Sequence, residues 1–425
     1  MIRTGALHHA FPFSELGTPV QMTGIPALIL IILSAALTIG ANGLALTLTA
    51  VGGSDIGYDA SMIGMLGTAY YVGQLTAALA TPAILRPAGH IRVFAGLAST
   101  AAISIGFMAL SQSPYIWFVS RLLCGFAFGG IAMTIESWMM GATDKTRRGR
   151  LMSVYRIADL GSVTGVQFLL PVFGTSGTAI FIVNMMLFCA SLIPLTLSKL
   201  SNPAPPAQVK VSVRWMWSIS PVAFVGVAVL AAVNGAFRTV GPVYASSVGL
   251  EAAGIATFVA ASVVAGALFQ YPLGWYSDRA DRRHSLLLAT AGATLASFGL
   301  TFAGPETAVI GAFFFGGFAL PLYPLSVAHA YDFAEPEDFV RLSAGFLMIY
   351  SASAAVGPLV SSIMMDAFGP ESFFVYTGIL HTGFILFVLW RMRVRAAPPI
   401  ALRQRFVAMV RNSPLFGNLT RHADH

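Results

Sequence analysis

Twelve apolar runs, most of them long enough to cross a bilayer, leave this chain little choice of fold. They lie near 24–51, 60–81, 91–110, 113–141, 150–173, 177–197, 216–246, 252–276, 284–303, 305–331, 340–366 and 371–391. A spanning helix needs about 20 mainly apolar residues, and backbone in lipid must satisfy its hydrogen bonds within the segment. The runs therefore predict an all-α integral membrane protein with twelve transmembrane helices. Composition agrees, since 56% of the residues are hydrophobic and only 10% charged, against about 25% charged in soluble domains. The first run is too long for a signal-peptide core and lacks the usual cleavage site, so it is expected to stay as a span.

The charges orient the runs. Of the 24 Lys and Arg, all except Arg121, Arg156 and Arg238 fall in the tails or in the loops on one side. Asp55, Asp59, Glu251, Glu306 and Glu371 occupy the other side. The positive-inside rule then predicts a multi-pass membrane protein with both termini in the cytoplasm. The formal charge of +7 is topogenic on this reading, which makes the lipid bilayer its partner and argues against nucleic acid. Cys124 and Cys189 lie inside apolar runs, which argues against a disulfide framework or a cysteine metal site. No metal or cofactor is expected.

Composition breaks once, at Ser198 to Arg214, SKLSNPAPPAQVKVSVR. The expected plan is a cytoplasmic tail (1–23), a six-helix bundle (24–197), a linker (198–215), a second six-helix bundle (216–391) and a basic cytoplasmic tail (392–425). Weak internal symmetry supports that division: Tyr155 and Phe173-Gly174 recur as Tyr350 and Phe368-Gly369. Two such halves with a midplane site between them are a common plan for secondary transporters. The basic tail is read either as an orientation signal or as a helix on the anionic leaflet.

Gly274 to Arg283 reads GWYSDRADRR. It resembles the G-x3-D-R-x-G-R-R signature of the major facilitator superfamily, with Asp281 in place of the usual glycine. Arg121-x3-Gly125-x3-Gly129 resembles that family's helix-4 motif. The copy between runs two and three, RPAGHIR, carries Arg86 where the family has an aspartate. With ESW at 136–138, RGR at 148–150 and YPLSVAHAYD at 323–332, the chain most resembles the poorly characterised bacterial YcaD-like branch. The resemblance implies two six-helix bundles rocking about a central cavity. It also implies a gating role for Asp278, Arg279 and Arg282, and an association of Arg121 with proton coupling. Holding the loop in the cytoplasm is the alternative role for these loop arginines.

An ionisable side chain inside a span costs roughly 2.5–3.5 kcal/mol on insertion scales unless it is paired or wet. Glu136 and Arg156 lie roughly 8–9 Å in from the same end, so an ion pair is predicted, serving either as a structural latch or in proton coupling. Asp159 lies one turn deeper than Arg156 and is the proton-carrier candidate. Arg121 enters from the opposite end and is expected to face the cavity or to bond backbone carbonyls. Gly125, Gly129, Gly161 and Gly165 read as close-packing sites.

In run seven, Asn234-Gly235 is expected to interrupt the helix beside Arg238, which either attracts an anionic solute or snorkels to the interface. Asn42, Tyr70, Gln74, Gln167, Asn234, Tyr244, Gln270, Tyr323, Tyr350 and His381 are the polar side chains available to line a cavity. His329 and Asp332 form an H-x2-D pair, readable as a gate, as a proton relay or as a plain interface contact. Gly357-Pro358 is expected to bend run eleven.

The function these features predict is secondary active transport of a small organic solute, an organic anion or an amphipathic compound, by alternating access coupled to protons. The chain has no G-x4-G-K-[ST] stretch, which argues against ATP-driven transport. The alternatives are an uncoupled facilitator, an integral-membrane enzyme using His329 and Asp332, and a solute sensor. No soluble loop is long enough for a cofactor site, so an enzyme is not expected.

Overall fold

The computed structural model describes residues 25–141, 148–175, 177–196 and 212–395. The expected amino-terminal tail, the linker up to residue 211 and the tail beyond residue 395 lie outside the described residues. The first half contains α1 (Ile25–Asp55), α2 (Ala60–Ala88), α3 (His90–Leu110), α4 (Pro114–Gly141), α5 (Arg148–Gln167), α6 (Leu170–Phe173) and α7 (Thr178–Thr196). The second contains α8 (Val213–Ile219), α9 (Pro221–Thr239), α10 (Gly241–Ser247), α11 (Ala252–Arg279), α12 (Arg282–Leu300), α13 (Pro305–Ala319), α14 (Leu322–Tyr331), α15 (Phe339–Phe368) and α16 (Ser372–Val394). Joining α5 to α6, α8 to α9 and α10, and α13 to α14 groups the sixteen described α-helices into twelve, one for each predicted run.

The two halves pack alike. In the first, α2 lies on α4, α3 on α4 and α7, and α1 on α5 and α7. In the second, α11 lies on α13, α12 on α13 and α16, and α9 on α15 and α16. Span for span, this is the same arrangement twice. The sequence echo at Gly174 and Gly369 has a geometric counterpart, because each ends a helix at positive φ, +85° and +91°. That backbone conformation favours glycine.

Glycines set the helix spacing. A Cβ on Gly125 would lie 1.9 Å from the carbonyl oxygen of Tyr70, and one on Gly73 would lie 2.0 Å from that of Leu122. These two sites bring α2 and α4 into backbone contact. Gly316 does the same for α13 against Ser262 of α11, at 2.2 Å. Gly129 is also tight, against Ala77 and Gln74. Gly161 and Gly165 are not packing sites, since a Cβ on either would meet nothing within 4 Å. Gly125→Ala should therefore destabilise by about 3 kcal/mol or more, because backbone rather than a side-chain tip must move. Gly161→Ala should stabilise by up to about 1 kcal/mol through helix propensity alone. Thermal unfolding of the two variants in one detergent checks both signs.

Three spans are broken, and each break lies beside the central cavity. α5 ends at Gln167, α9 ends one residue after Arg238, and α13 gives way to α14 between Ala319 and Leu322. Pro171, Pro242 and Pro321 supply the cause, since each lacks the N–H that would continue the ladder. Asn234-Gly235 does not interrupt run seven. α9 runs through it, and the break falls later, at Val240 before Gly241-Pro242. Gly235 instead admits α15, where a Cβ would sit 2.6 Å from the Ala354 carbonyl oxygen.

Candidate functional site

A cavity of about 180 Å³ lies between the halves. Asn42, Tyr70, Gln74 and Gln167 line it from the first half, and Asn234, Arg238, Gln270, Tyr323 and Tyr350 from the second. Glu136 and Asp159 also reach its wall. Its apolar surface comes from Phe128, Met133, Phe237 and Phe315 among others. Tyr244 and His381 do not line it. Tyr244 is fully buried with its hydroxyl donating to the Leu300 carbonyl, and His381 is buried edge-on to Phe315. Both polar residues sit on helix faces turned into their own bundle, which the sequence pattern does not distinguish from the cavity face.

The lining is held by hydrogen bonds within each half. The Tyr70 hydroxyl donates to Asn42 Oδ1 at 3.0 Å, and the Thr47 hydroxyl donates to Gln167 Oε1 at 2.9 Å. Opposite them, the Asn234 amide donates to the Tyr350 hydroxyl at 2.5 Å. The Tyr323 and Tyr350 rings meet edge to face, with centroids 5.9 Å apart. Tyr71, Ser262 and Ser351 also belong to the polar lining. None of them stood out in the sequence, since an aromatic or a serine among apolar residues carries no signal of its direction.

The buried charges are arranged differently from expectation. Glu136 and Arg156 do not pair. Arg156 Nη2 instead donates to Gln270 Oε1 across the junction at 3.3 Å, because α5 packs directly on α11. Asp159 is 5% exposed, faces the cavity, and makes no hydrogen bond or ion pair among the described residues. The same holds for the Arg238 guanidinium. Arg121 does not reach the cavity. It is wholly buried with its guanidinium carbon 4.6 Å above the Tyr70 ring, and none of its three nitrogens has a hydrogen-bond partner among the described residues.

At the basic end, Arg282 joins three helices of the second half. Its Nε donates to Asp332 Oδ2 at 2.7 Å, and its Nη1 reaches Asp278 Oδ1 at 3.4 Å and the Ser277 hydroxyl at 3.2 Å. Asp278, Arg282 and Asp332 thus bind α11, α12 and α14 together. Arg279 stays outside this network, 4.2 Å above the Trp275 ring. His329 and Asp332 do not form a pair, because Asp332 turns to Arg282 while His329 packs edge-on against Phe333. At this end Asp281 caps α12 through the Arg283 N–H. Burial raises its pKa, but hydrogen bonds from the Arg283 side chain and backbone outweigh that and hold it below the usual carboxylate value.

The acidic end carries a contact that the sequence did not announce. Asp366 on α15 accepts hydrogen bonds from the backbone N–H groups of Ala60 at 3.1 Å and Ser61 at 2.8 Å. These are the first two residues of α2, which Asp59 also caps at Met62. A carboxylate of one half thus sits on the positive end of a helix of the other. Gly64, which faces Pro358 and Ser362, brings the same helices close together there.

Two six-helix halves around a central cavity, bordered by broken helices and by Asp159 and Arg238, which have no ion pair among the described residues, match the plan of a membrane transporter. The chain belongs to the Major Facilitator Superfamily, whose family model matches residues 28–305 and 222–420. It is 28% identical to the uncharacterised MFS-type transporter YfkF of Bacillus subtilis over 75% of this chain and 84% of that protein. It is 24% identical to the uncharacterised MFS-type transporter YcaD of Salmonella enteritidis, over 77% and 86%. Among solved structures it resembles a variant of the nucleoside transporter NupG, with TM-score 0.73, 13% identity, and 86% and 99% of the two chains covered. It also resembles a bacterial homologue of the lysosomal transporter Spinster, inward-facing and unoccupied, with TM-score 0.71, 13% identity, and 88% and 100% covered.

Proposed function

We propose that this chain moves a small organic anion with an apolar face across the bacterial cytoplasmic membrane by alternating access, coupled to protons. The observation that carries this reading is the presence, in one cavity, of a guanidinium on one half and a carboxylate on the other, neither with a hydrogen bond or ion pair among the described residues. Arg238 would hold the anion and Asp159 the proton, while the aromatic wall takes the apolar face. Tyr70, Gln74, Gln167, Gln270 and the Asn42 and Asn234 amides would hydrogen-bond the remaining polar groups. The positive-inside pattern supports a cytoplasmic basic end and cytoplasmic termini. A structure similar in fold, with TM-score 0.54, is that of a fucose:proton symporter, which supports proton coupling as chemistry this fold accommodates.

The test is reconstitution in liposomes holding a pH-sensitive dye, challenged with a panel of aromatic carboxylates and their neutral amides. The expected result is proton movement driven by one or more of the acids and not by their amides. A solute that equilibrates without moving protons would leave an uncoupled facilitator.

In this cycle Asp366 is the latch of the state closed at the acidic end, which must release the first turn of α2 to open there. The group is exposed, so the contact is worth about 0.3–1 kcal/mol. Asp366→Ala should therefore favour the state open at the acidic end by about two- to fivefold. Alkylation of a Thr47→Cys probe by an impermeant maleimide applied from that side reads the shift. An unchanged rate would show that Asp366 only caps the helix.

A further inference from the structure

A second concavity lies at the basic end of the second half, away from the transport cavity. Ser220, Pro221, Val222, Arg283, His329, Phe333, Arg391 and Arg395 line it, and it offers about 20 Å³. Four helices supply these residues: the start of α9, the start of α12, the inner end of α14 and the end of α16. Three guanidiniums therefore converge on one notch.

Only one of the three is neutralised among the described residues. Arg283 is paired with Asp281 at 2.7 Å, and its Nη1 donates to the Arg395 carbonyl at 2.6 Å. Arg395 donates to the Ile219 carbonyl at 2.9 Å and lies 4.0 Å above the Phe333 ring, but has no carboxylate partner. Arg391 has neither a carboxylate nor a hydrogen-bond acceptor, and its Nε is closed off from solvent. Burial, together with the like charge of Arg391, holds Arg395 below the ordinary arginine range. The fold thus holds together two cations that rest on aromatic rings, Arg391 5.5 Å from the Trp390 ring centroid and Arg395 over Phe333, with no carboxylate among the described residues to neutralise either. The start of α9, capped by Ser220, adds the positive end of a helix to the same spot.

We propose that this notch binds a phosphate oxyanion, presented by an anionic lipid headgroup or by free phosphate. Its size selects how the anion sits. A volume of about 20 Å³ holds roughly one oxygen-sized group, so one phosphate oxygen enters and the rest of the ester stays at the surface. A solute gripped by so little gains little affinity, whereas a lipid is already held beside the site by the bilayer and pays less to bind. The surroundings suit a headgroup. Trp217 and Trp390 are 44% and 54% exposed at the same end, where tryptophans mark the level of the membrane interface. Planar guanidiniums are the side chains best matched to phosphate oxygens.

The test uses the full-length protein in a neutral detergent, titrated with short-chain phosphatidylglycerol, short-chain phosphatidylcholine or inorganic phosphate. Thermal unfolding reads binding through mass action, and native mass spectrometry counts retained lipid. The expected result is retention and a raised Tm with phosphatidylglycerol, a weaker effect with phosphatidylcholine, and about a tenfold loss of apparent affinity in Arg391→Gln. Arg391→Lys keeps the charge without the planar fork and should fall between the two, which controls for a folding defect in the first variant. If inorganic phosphate gives the same Arg391-dependent shift and the lipid adds nothing, the oxyanion comes from solution. Equal responses to phosphatidylglycerol in the native protein, Arg391→Gln and Arg391→Lys would overturn the proposal.

Discussion

Asp159→Asn is expected to abolish proton-driven accumulation while leaving solute exchange measurable. The side chain is 5% exposed, it faces the cavity, and it makes no hydrogen bond or ion pair among the described residues. Arg156 lies one helical turn away and acts on it electrostatically. In the proposed cycle this carboxylate carries the coupled proton, and asparagine keeps its shape without that capacity. One proton per solute under a gradient of one pH unit sustains about tenfold accumulation, since one unit corresponds to about 1.4 kcal/mol. The variant should settle at a ratio of about one, with counterflow of labelled solute preserved. Accumulation equal to that of the native protein would remove Asp159 from the coupling mechanism.

Arg121→Met is expected to raise thermal stability and lower coupled transport together. Arg121 is a wholly buried cation whose three nitrogens have no hydrogen-bond partner among the described residues. A compensating contact among the described residues is the Tyr70 ring 4.6 Å away, worth about 2 kcal/mol when desolvated. Desolvating the charge costs several kcal/mol, so the native state carries a net penalty. Methionine fills similar space without the charge, and a gain of about 1–4 kcal/mol follows by analogy with buried charges replaced by apolar side chains. Tyr70 also donates to Asn42 in the cavity wall, which connects the buried cation to the transport path. A lower Tm in the variant would show instead that the stacking outweighs the burial cost. A higher Tm with transport intact would make Arg121 a structural residue only.

Much of the site was legible in the chain because polar residues inside membrane spans are costly and therefore few. Asn42, Gln74, Gln167, Asn234 and Gln270 stood out on that ground, and all of them line the cavity. Depth along a helix was legible as well, since rise per residue is constant. Direction around the helix was not. Tyr244 and His381 have the same residue character as Tyr350 and Gln270 but face their own bundle, and Glu136 and Arg156 share a depth without sharing a contact. Asp366 was invisible because a carboxylate near a helix end carries no motif, and its partners are backbone N–H groups from a helix roughly three hundred positions away.

By itself the sequence determined twelve spans, their grouping by sixes, the basic end and the family, because each of these follows from hydropathy, charge sign or local spacing. The tertiary structure alone decided where the spans break beside the cavity, that Arg156 reaches Gln270 rather than Glu136, and that Asp366 caps α2. It also decided that Arg391 and Arg395 stand side by side without a counter-ion among the described residues. These are relations between helices. They depend on rotation and close approach, which glycines such as Gly125 and Gly357 permit but which no stretch of sequence specifies alone.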